Sequence, residues 1–302
     1  WGWHQWKVKY IPVNADGTTG EMFCLFGNGP GFAGDGMPAG WNFNGMSGPT
    51  RFNLPSSCVY DNDRNFYISD QGNLRIRRVL ADADDDFTTA QAFVQSHQNN
   101  IVETFANVMG VRTLPDAGYD TNSGDGGPAG ACTFNVQSGF DAIPQMRLAI
   151  DRARNLLYVA DSDNSRVRVI DLNAVPPTIN IFAGGGAMLD GSGLLATQVQ
   201  LRRPADVDVA QDGSGNVLIT DTFNNCVRLV DFQTRVIRTV AGTCGSDQYG
   251  YEGDGGPATR AKLQEPGGAY LAGGANDAAY TVYVADTINH RVRRVNAVPK
   301  NP

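Results

Sequence analysis

The feature that most constrains the fold is a strand motif that recurs four times along the chain. In each copy an apolar strand ends in aspartate, a short turn follows, and a second strand carries arginine, as at 283–295. Valine and arginine alternate in the second strand, which is the period-2 pattern of a β-strand with one apolar face. One such unit cannot bury both faces of its sheet, so the copies are predicted to stack on one another. The aspartates are Asp70, Asp161, Asp221 and Asp286, and the arginines are Arg77, Arg168, Arg228 and Arg293.

Two further elements recur in phase with this motif. An apolar strand that ends in alanine follows the first three copies, and a glycine-rich leader precedes every copy. With the strand that joins leader to motif, each repeat predicts four antiparallel strands, which we name a, b, c and d in chain order. Repeated four-stranded units of this kind are typical of β-propeller blades. The leaders lie at 34–39, 124–129 and 253–258, with a degenerate copy at 190–196.

The pattern resembles the NHL-repeat family over about residues 20–296. The segment YVADTINHRVRRV at 283–295 contains Asn289 and His290 in the arrangement that gives the family its name, and the GDGGPA leader is typical of extracellular and bacterial members. The resemblance implies an all-β, NHL-type β-propeller, here with four recognisable four-stranded blades plus an N-terminal hairpin. Most members have six blades, so the alternative is that the chain forms a section of a larger ring.

These elements divide the chain into an N-terminal aromatic segment with a strand (1–20), the propeller (21–296) and a C-terminal tail (297–302). The last repeat ends at strand c, and the simplest closure uses the apolar segment at 22–27 as its strand d. The long insertions at 80–100 and 107–145 are predicted to be functional or mobile. The aromatic residues of the first segment predict packing within the protein or an intermolecular contact. They are Trp1, Trp3, Trp6 and Tyr10.

Repetition in every blade favours a structural role for the aspartates and arginines of the motif. The aspartates are expected to accept hydrogen bonds from the adjacent turn and to pair with the arginines, the alternative being a ring of acids or metal ligands. The leader aspartates are likewise predicted to be turn residues, because each loop supplies one carboxylate whereas calcium takes six or more oxygens. The leader aspartates are Asp35, Asp125 and Asp254.

Other candidate sites are sparse. The acidic run is predicted to be a solvated hairpin tip, with calcium as the weaker interpretation, and no other cofactor is expected. The NHL resemblance extends to an amidating lyase of similar fold, which binds zinc through several histidines. His4, His97 and His290 do not occupy equivalent positions in the repeats here, which disfavours such a zinc site. The sequence has neither a nucleophile elbow nor a P-loop, so no catalytic residue is assigned. The acidic run comprises Asp82, Asp84, Asp85 and Asp86.

Two of the five cysteines are predicted to form a disulfide. Cys226 and Cys244 are assigned to the antiparallel strands c and d of one blade. A turn centred near 233–234 places them close to opposite one another, so a disulfide forms if their Cα atoms are near enough for one. Such a bond favours an oxidising compartment, hence an extracellular or cell-envelope location.

Net charge and hydropathy restrict the classes of partner that the protein could bind. The net charge of −7 disfavours nucleic acid, and there is no apolar run long enough to predict membrane insertion. The sequence favours a non-enzymatic extracellular binding or assembly scaffold. It would bind a protein, or another copy of itself, through the leader-bearing loop face or the N-terminal strand. The alternatives are a metal-dependent lyase or lactonase-like enzyme centred in the channel, and a structural subunit of a filament or surface layer.

Overall fold

The computed structural model of the chain describes residues 7–11, 19, 23–27, 30–38, 49–86, 90–97, 100–110, 124–135, 145–189 and 192–300. Antiparallel strands make up most of the regular secondary structure of the described chain, so the predicted all-β class is confirmed. It divides into two compact units. Unit 1 comprises Trp1–Val111 with Ser138–Asp141, and unit 2 comprises Arg112–Gln137 with Ala142–Pro302.

Unit 1 contains a two-stranded hairpin and one blade. Blade 1 is a five-stranded sheet of order β3-β7-β6-β5-β4, and its short outer strand β3 comes from the leader. A helix, α1, lies in the insertion between strands c and d, where the sequence pattern predicted only a loop. The elements are β1 (Val8–Tyr10), β2 (Phe23–Phe26), β3 (Met37–Pro38), β4 (Pro55–Tyr60), β5 (Phe66–Asp70), β6 (Arg75–Val79), α1 (Ala90–His97) and β7 (Ile101–Ala106).

The N-terminal hairpin packs on blade 1. Leu25 and Phe26 of β2 are buried in one apolar cluster with Phe52, Ile68 and Val79 of the blade. Burial of each such side chain contributes about 1.5–3 kcal/mol. The partner of β2 is β1. The predicted closure, in which 22–27 completes the last blade, is therefore wrong for the structure. Trp1, Trp3, Trp6 and His4 lie outside the described residues.

Unit 2 contains three blades. Blade 2 has the order β11-β10-β9-β8, blade 3 the order β12-β16-β15-β14-β13, and blade 4 the order β17-β18-β19. Blade 4 thus has strands a, b and c, as predicted. The strands are β8 (Leu148–Asp151), β9 (Leu156–Asp161), β10 (Arg166–Asp171), β11 (Thr178–Gly184), β12 (Leu194–Leu195), β13 (Asp206–Val209), β14 (Val217–Asp221), β15 (Cys226–Val230), β16 (Val236–Ala241), β17 (Gly268–Ala272), β18 (Ala279–Asp286) and β19 (Arg291–Pro299).

The blades of unit 2 stack through their apolar faces. Tyr158 and Val167 of blade 2 share a buried cluster with Val207 and Ile219 of blade 3. A second cluster joins the opposite face of blade 3 to the first face of blade 4, with Val282 among its members. Both faces of blade 3 are therefore covered by neighbouring blades, which explains why every residue of β14 and β15 is buried.

In blades 1, 2 and 3 the glycine-rich leader covers the outer edge of its own blade. In blade 2 the Gly126 amide donates to the carbonyl of Ile179 on β11 (2.8 Å), and the Ile179 amide donates to Gly127 (3.0 Å). Gly126 has φ +84°, a conformation that costs glycine little. In blade 3 the leader forms β12 and pairs with β16. The leaders therefore protect strand edges that would otherwise be exposed.

The last strand is longer than the repeat predicts. β19 continues through Pro299, and Ala279 of β18 pairs with that residue. The predicted boundary at 296 therefore falls inside a strand rather than at the start of a tail. No helix among the described residues has the length and apolarity needed to cross a bilayer.

Candidate functional site

The motif aspartate and arginine of blade 2 belong to one buried network. Asp161 accepts hydrogen bonds from the Asn135 amide (2.9 Å) and from the side-chain amide of Asn164 (2.9 Å). Arg168 lies 3.5 Å from Asp161 and extends to the leader, where its guanidinium is 2.9 Å from Asp125. One arginine thus links the end of strand b to the leader, and this link holds the leader against the edge of the blade.

The other blades repeat this network with one variation. Arg77 links Asp70 to Asp35, and Arg293 links Asp286 to Asp254. In blade 3 the leader is degenerate, and Arg228 bonds Asp221 at 2.9 Å and the Leu189 carbonyl at 2.7 Å. An asparagine three residues after each aspartate completes the network. These asparagines are Asn73, Asn164, Asn224 and Asn289.

Burial governs the ionisation of the motif aspartates. It raises the pKa of Asp70 to about 7, although the Asn53 amide, Asn73 and Arg77 all act to lower it. Burial also raises the pKa of Asp161 and of Asp221. These carboxyl groups are fully enclosed and hydrogen-bonded within their own blades. A substrate cannot reach them, so the geometry favours the structural role over an acid or metal site.

The acidic run, Asp82 and Asp84 to Asp86, interacts with residues close to it in sequence. The carboxylates of Asp82 and Asp85 accept hydrogen bonds from nearby backbone amides, and Asp85 is buried against His97 at 3.4 Å. The Asp86 amide donates to Ser96 of helix α1. Within the described parts of the chain, no group of three or more His, Cys, Asp or Glu side chains is arranged to hold a metal. The run thus anchors the inserted helix.

Cys226 and Cys244 are bonded, with their Cα atoms 5.1 Å apart. The register of β15 with β16 pairs Val230 with Ile237, as a turn centred at 233–234 requires. Cys244 differs from expectation in one respect, because it lies beyond the end of β16 at Ala241 rather than on the strand. The disulfide therefore ties the start of strand c to the loop that follows strand d.

A cavity of about 550 Å³ opens at the inner strands of unit 2. Its lining includes one residue at an equivalent position in each blade: Arg147 immediately before β8, Asp206 on β13 and Gly268 on β17. The repeat therefore does not dictate the chemistry of this position. No described residue is hydrogen-bonded to the buried Nε of Arg147. The sequence motifs gave no signal for this pocket.

Asp206 and its neighbour Asp208 connect blade 3 to blade 4. The Asp206 carboxylate accepts a hydrogen bond from the Ala269 amide (3.2 Å), and that of Asp208 accepts one from Leu271 (2.8 Å). Burial raises the pKa of Asp206 to about 6, while the positive charge of Arg147 opposes the rise. A Cβ at Gly268 would lie 2.7 Å from the Asp206 carboxylate, so glycine is needed for this approach.

The second face of blade 4 is exposed. The repeat aligns Ala149, Tyr158 and Val167 of blade 2 with Tyr270, Tyr283 and Val292 of blade 4. The blade 2 residues are 7%, 0% and 0% exposed because they lie against blade 3. Their blade 4 equivalents are 58%, 39% and 75% exposed. Among the described residues of unit 2, blade 4 therefore carries the residues of an inter-blade contact that no other blade of this unit covers. We call this surface, with Ala285, the open face.

The outer edge of blade 4 is also open. The leader stands beside β19, since Arg293 bonds Asp254 and the Lys262 carbonyl, and none of the strands that the structure describes lies between leader and β19. A cavity of about 70 Å³ is lined there by Gly255, Arg293 and Val295, among others. In blade 2 strand d fills this place and binds the leader. We call the space between leader and β19 the strand slot.

Repeated sheets with short antiparallel strands, joined through motif aspartates and arginines, define an all-β protein of the propeller class. Comparison with known proteins gives the more particular assignment. No protein-family model matches the chain. NHL repeat-containing protein 2 from Homo sapiens is 32% identical over 167 residues, covering 52% of this chain and 21% of that protein. The same protein from Gallus gallus is 30% identical over 167 residues, with equal coverage. These findings support the predicted resemblance to NHL-repeat proteins and the predicted NHL-type β-propeller fold.

Other relatives agree on the fold. SUPPRESSOR OF QUENCHING 1 from Arabidopsis thaliana is 28% identical over 193 residues, covering 61% of this chain and 16% of that protein. The chain spans about a fifth of the length of the curated relatives that it matches. Among solved structures, a putative phosphatase from Bacteroides thetaiotaomicron has a TM-score of 0.55 at 16% identity, covering 97% of this chain and 54% of that one. The nidogen/laminin complex has a TM-score of 0.51 at 13% identity, covering 98% and 73%. These similarities show the fold alone.

Proposed function

We propose that the protein is a non-enzymatic binding and assembly scaffold, and that a partner protein binds it by covering the open face of blade 4. The observation that carries this proposal is the contrast between Tyr158 and Val167, which are buried by blade 3, and their exposed equivalents Tyr283 and Val292. An apolar sheet face of this kind is a protein interaction surface, because exposed contiguous apolar area is unfavourable in water.

The open face has the composition of an interface centre. Tyr270 and Tyr283 lie directly opposite each other on β17 and β18. Large aromatic side chains dominate the energetics of protein interfaces. The hydroxyl groups of these two tyrosines can be hydrated while the face is exposed, before a partner binds. The proposed partner therefore presents an apolar β-sheet face, as blade 3 does to blade 2.

A photo-crosslinking amino acid placed at residue 283 tests this proposal in the full chain. We expect adducts from position 283 and a loss of most of them in the additional variant Val292→Arg, since a charge there must be desolvated on binding. Position 249 is the matched control, because Tyr249 is 57% exposed and lines a different pocket from the one that Tyr283 lines. Equal adducts from both positions would rule the proposal out.

The same experiment separates a heterologous partner from self-assembly. Two differently tagged copies of the chain are mixed before crosslinking, and an adduct that carries both tags identifies a second copy as the occupant. That outcome would support the structural-subunit alternative over the binding scaffold.

We further propose that the protein works in an extracellular or cell-envelope compartment, because the Cys226–Cys244 disulfide is stable only under oxidising conditions. Thiol labelling of protein from its native source, with and without prior reduction, tests this: reactive Cys226 before reduction would contradict it.

The alternative of a channel-centred enzyme has one supporting observation, the inner pocket of about 550 Å³ with Arg147 and Asp206. A ligand with a carboxylate would suit the unpartnered Nε of Arg147. Metal analysis of the purified protein tests the metal-dependent form. A stoichiometric metal that is lost in Asp206→Asn would favour the enzyme over the scaffold.

A further inference from the structure

We infer that a groove between blades 3 and 4 binds a neutral carbohydrate. A cavity of about 420 Å³ lies where the turn between β14 and β15 meets the segments on either side of the leader of blade 4. We call this cavity the junction pocket, and it does not use the tyrosines of the open face. Its lining includes Arg202, Phe223, Ser246, Tyr249, Gln264 and Glu265.

The equivalent junction between blades 2 and 3 is bridged by an ion pair. The Nε atom of Arg203 lies 2.6 Å from the carboxylate of Asp163, so opposite charges join the two blades there. The repeat aligns Asp163 with Phe223 and Arg203 with Glu265. Neither partner of the ion pair is present at the next junction, which is where the cavity lies.

Three planar polar side chains of the junction pocket are available to a ligand. They are the guanidinium of Arg202, the amide of Gln264 and the carboxylate of Glu265, and none of them has a hydrogen-bond or ion-pair partner among the described residues. Each presents at least two polar atoms in one plane, so it can bind two groups at once. Neighbouring hydroxyl groups of a sugar ring both donate and accept, so they can pair with all three side chains. The charges of Arg202 and Glu265 cancel, which favours a neutral ligand over an ion.

Two aromatic rings supply the apolar part of the pocket. Tyr249 is 57% exposed, and Phe223 is half-buried, with the guanidinium of Arg203 4.7 Å from the centre of its ring. The C–H groups on the face of a sugar ring can pack against such rings and leave water. Apolar walls with a few convergent polar groups are typical of small-molecule sites. The pair of rings selects a sugar over a small zwitterion such as glutamate, which presents no comparable C–H face.

The walls of the junction pocket are tied to one another before any ligand binds. The side-chain amide of Asn225 donates to the Gly245 carbonyl at 3.2 Å, and its side-chain oxygen accepts from the Glu265 amide at 3.0 Å. The adjacent Cys226–Cys244 disulfide fixes the start of the loop that carries the serine and the tyrosine of the pocket. A site that is formed in advance lowers the entropic cost of binding.

Three neutral tetrasaccharides, maltotetraose, cellotetraose and N-acetylated chitotetraose, are the probes for this site. Calorimetric titration of the full chain should show saturable binding of at least one, and saturation-transfer NMR should show the strongest transfer to the C–H protons of its rings. Arg202→Ala and Glu265→Ala should each weaken binding about tenfold, which is the loss of one hydrogen bond to a charged group. Tyr249→Ala should weaken it about fivefold, because it removes one ring contact.

The matched controls are Arg260→Ala and Tyr251→Ala. Both side chains are exposed on the segments that flank the same leader, and neither lines the junction pocket. They should leave the affinity unchanged. All five variants should keep the thermal midpoint of the wild-type protein, since none removes a fully buried side chain. A lower affinity at an unchanged midpoint therefore reports a lost contact with the sugar.

Binding of none of the three sugars, or equal weakening by the controls, would overturn the inference. If free glutamate binds at these residues and no sugar does, the pocket is a zwitterion site and the inference is wrong. Crosslinking from residue 283 reports on the open face alone, so this inference and the proposed scaffold function can fail separately.

Discussion

Blade 2 and blade 4 have closely similar strands and different surroundings. Each has the sequence Tyr-Val-Ala-Asp in strand b and Arg-Val-Arg in strand c. In blade 2 these strands are covered by strand d on one edge and by blade 3 on one face. In blade 4 the corresponding edge and face are open. The comparison shows that a blade sequence specifies its own sheet, while the stability and availability of its surfaces depend on what packs against them.

The largest expected difference between the two blades concerns the motif arginines. Arg168→Met should destabilise unit 2 by about 3–5 kcal/mol, because it leaves the buried carboxylate of Asp161 without its cation. Arg293→Met leaves the buried Asp286 in the same situation but should cost less, since Arg293 is itself 10% exposed and water can solvate its leader partner Asp254, which is 56% exposed. Urea unfolding of both variants measures the two values. Equal costs would show that blade 4 is covered as fully as blade 2.

The disulfide lies in the blade between them. The double variant Cys226→Ser/Cys244→Ser removes a cross-link between residues 18 apart in sequence. Closing a loop of that size stabilises the folded state by about 3 kcal/mol. Thermal unfolding of the variant should show that loss, and the reduced wild-type protein should match it. An unchanged midpoint would mean that blade 3 derives no stability from the bond.

Valine truncation sharpens the comparison at one aligned position. Val167→Ala removes a side chain that is fully buried between blades 2 and 3, and it should cost about 2 kcal/mol. Val292→Ala should change the stability of the isolated chain by less than about 0.5 kcal/mol, as exposed substitutions do. Repeating the measurement with a bound partner should raise the cost of Val292→Ala alone. A large cost in the isolated chain would contradict the open face.

A pH-dependent effect is expected at the inner strands, where blade 3 contacts blade 4 through Asp206. Its pKa of about 6 lies above the value of an unfolded aspartate, so its protonated form favours the folded state. That stabilisation is present in full below about pH 4 and is lost as the pH rises through about 6. Asp206→Asn should therefore flatten the pH dependence of stability in this window. The charges facing Asp206 are those of Arg147 and Asp208. A wild-type profile that is flat between these pH values would contradict the raised pKa.

The sequence predicted most of the blade architecture. The positions of strands b and c, the pairing partners in the motif and the disulfide could all be inferred, because each depends on alternation or on register across a single short turn. The inserted helix α1 was missed, since residues 80–100 show no apolar periodicity that stands out from a loop. The pairing of the leader with strand d was missed, because the two segments are a whole repeat apart in sequence.

The sequence by itself determined the repeat, the class of fold and the residues that hold each blade together, because these are local properties that recur in every copy. The tertiary structure alone decided which copies are complete. Tyr158 and Tyr283 have almost the same sequence context, yet one is fully buried and the other is exposed. Burial is a property of the neighbouring blade rather than of the residue, so the open face and the strand slot could be recognised only when the blades were placed side by side.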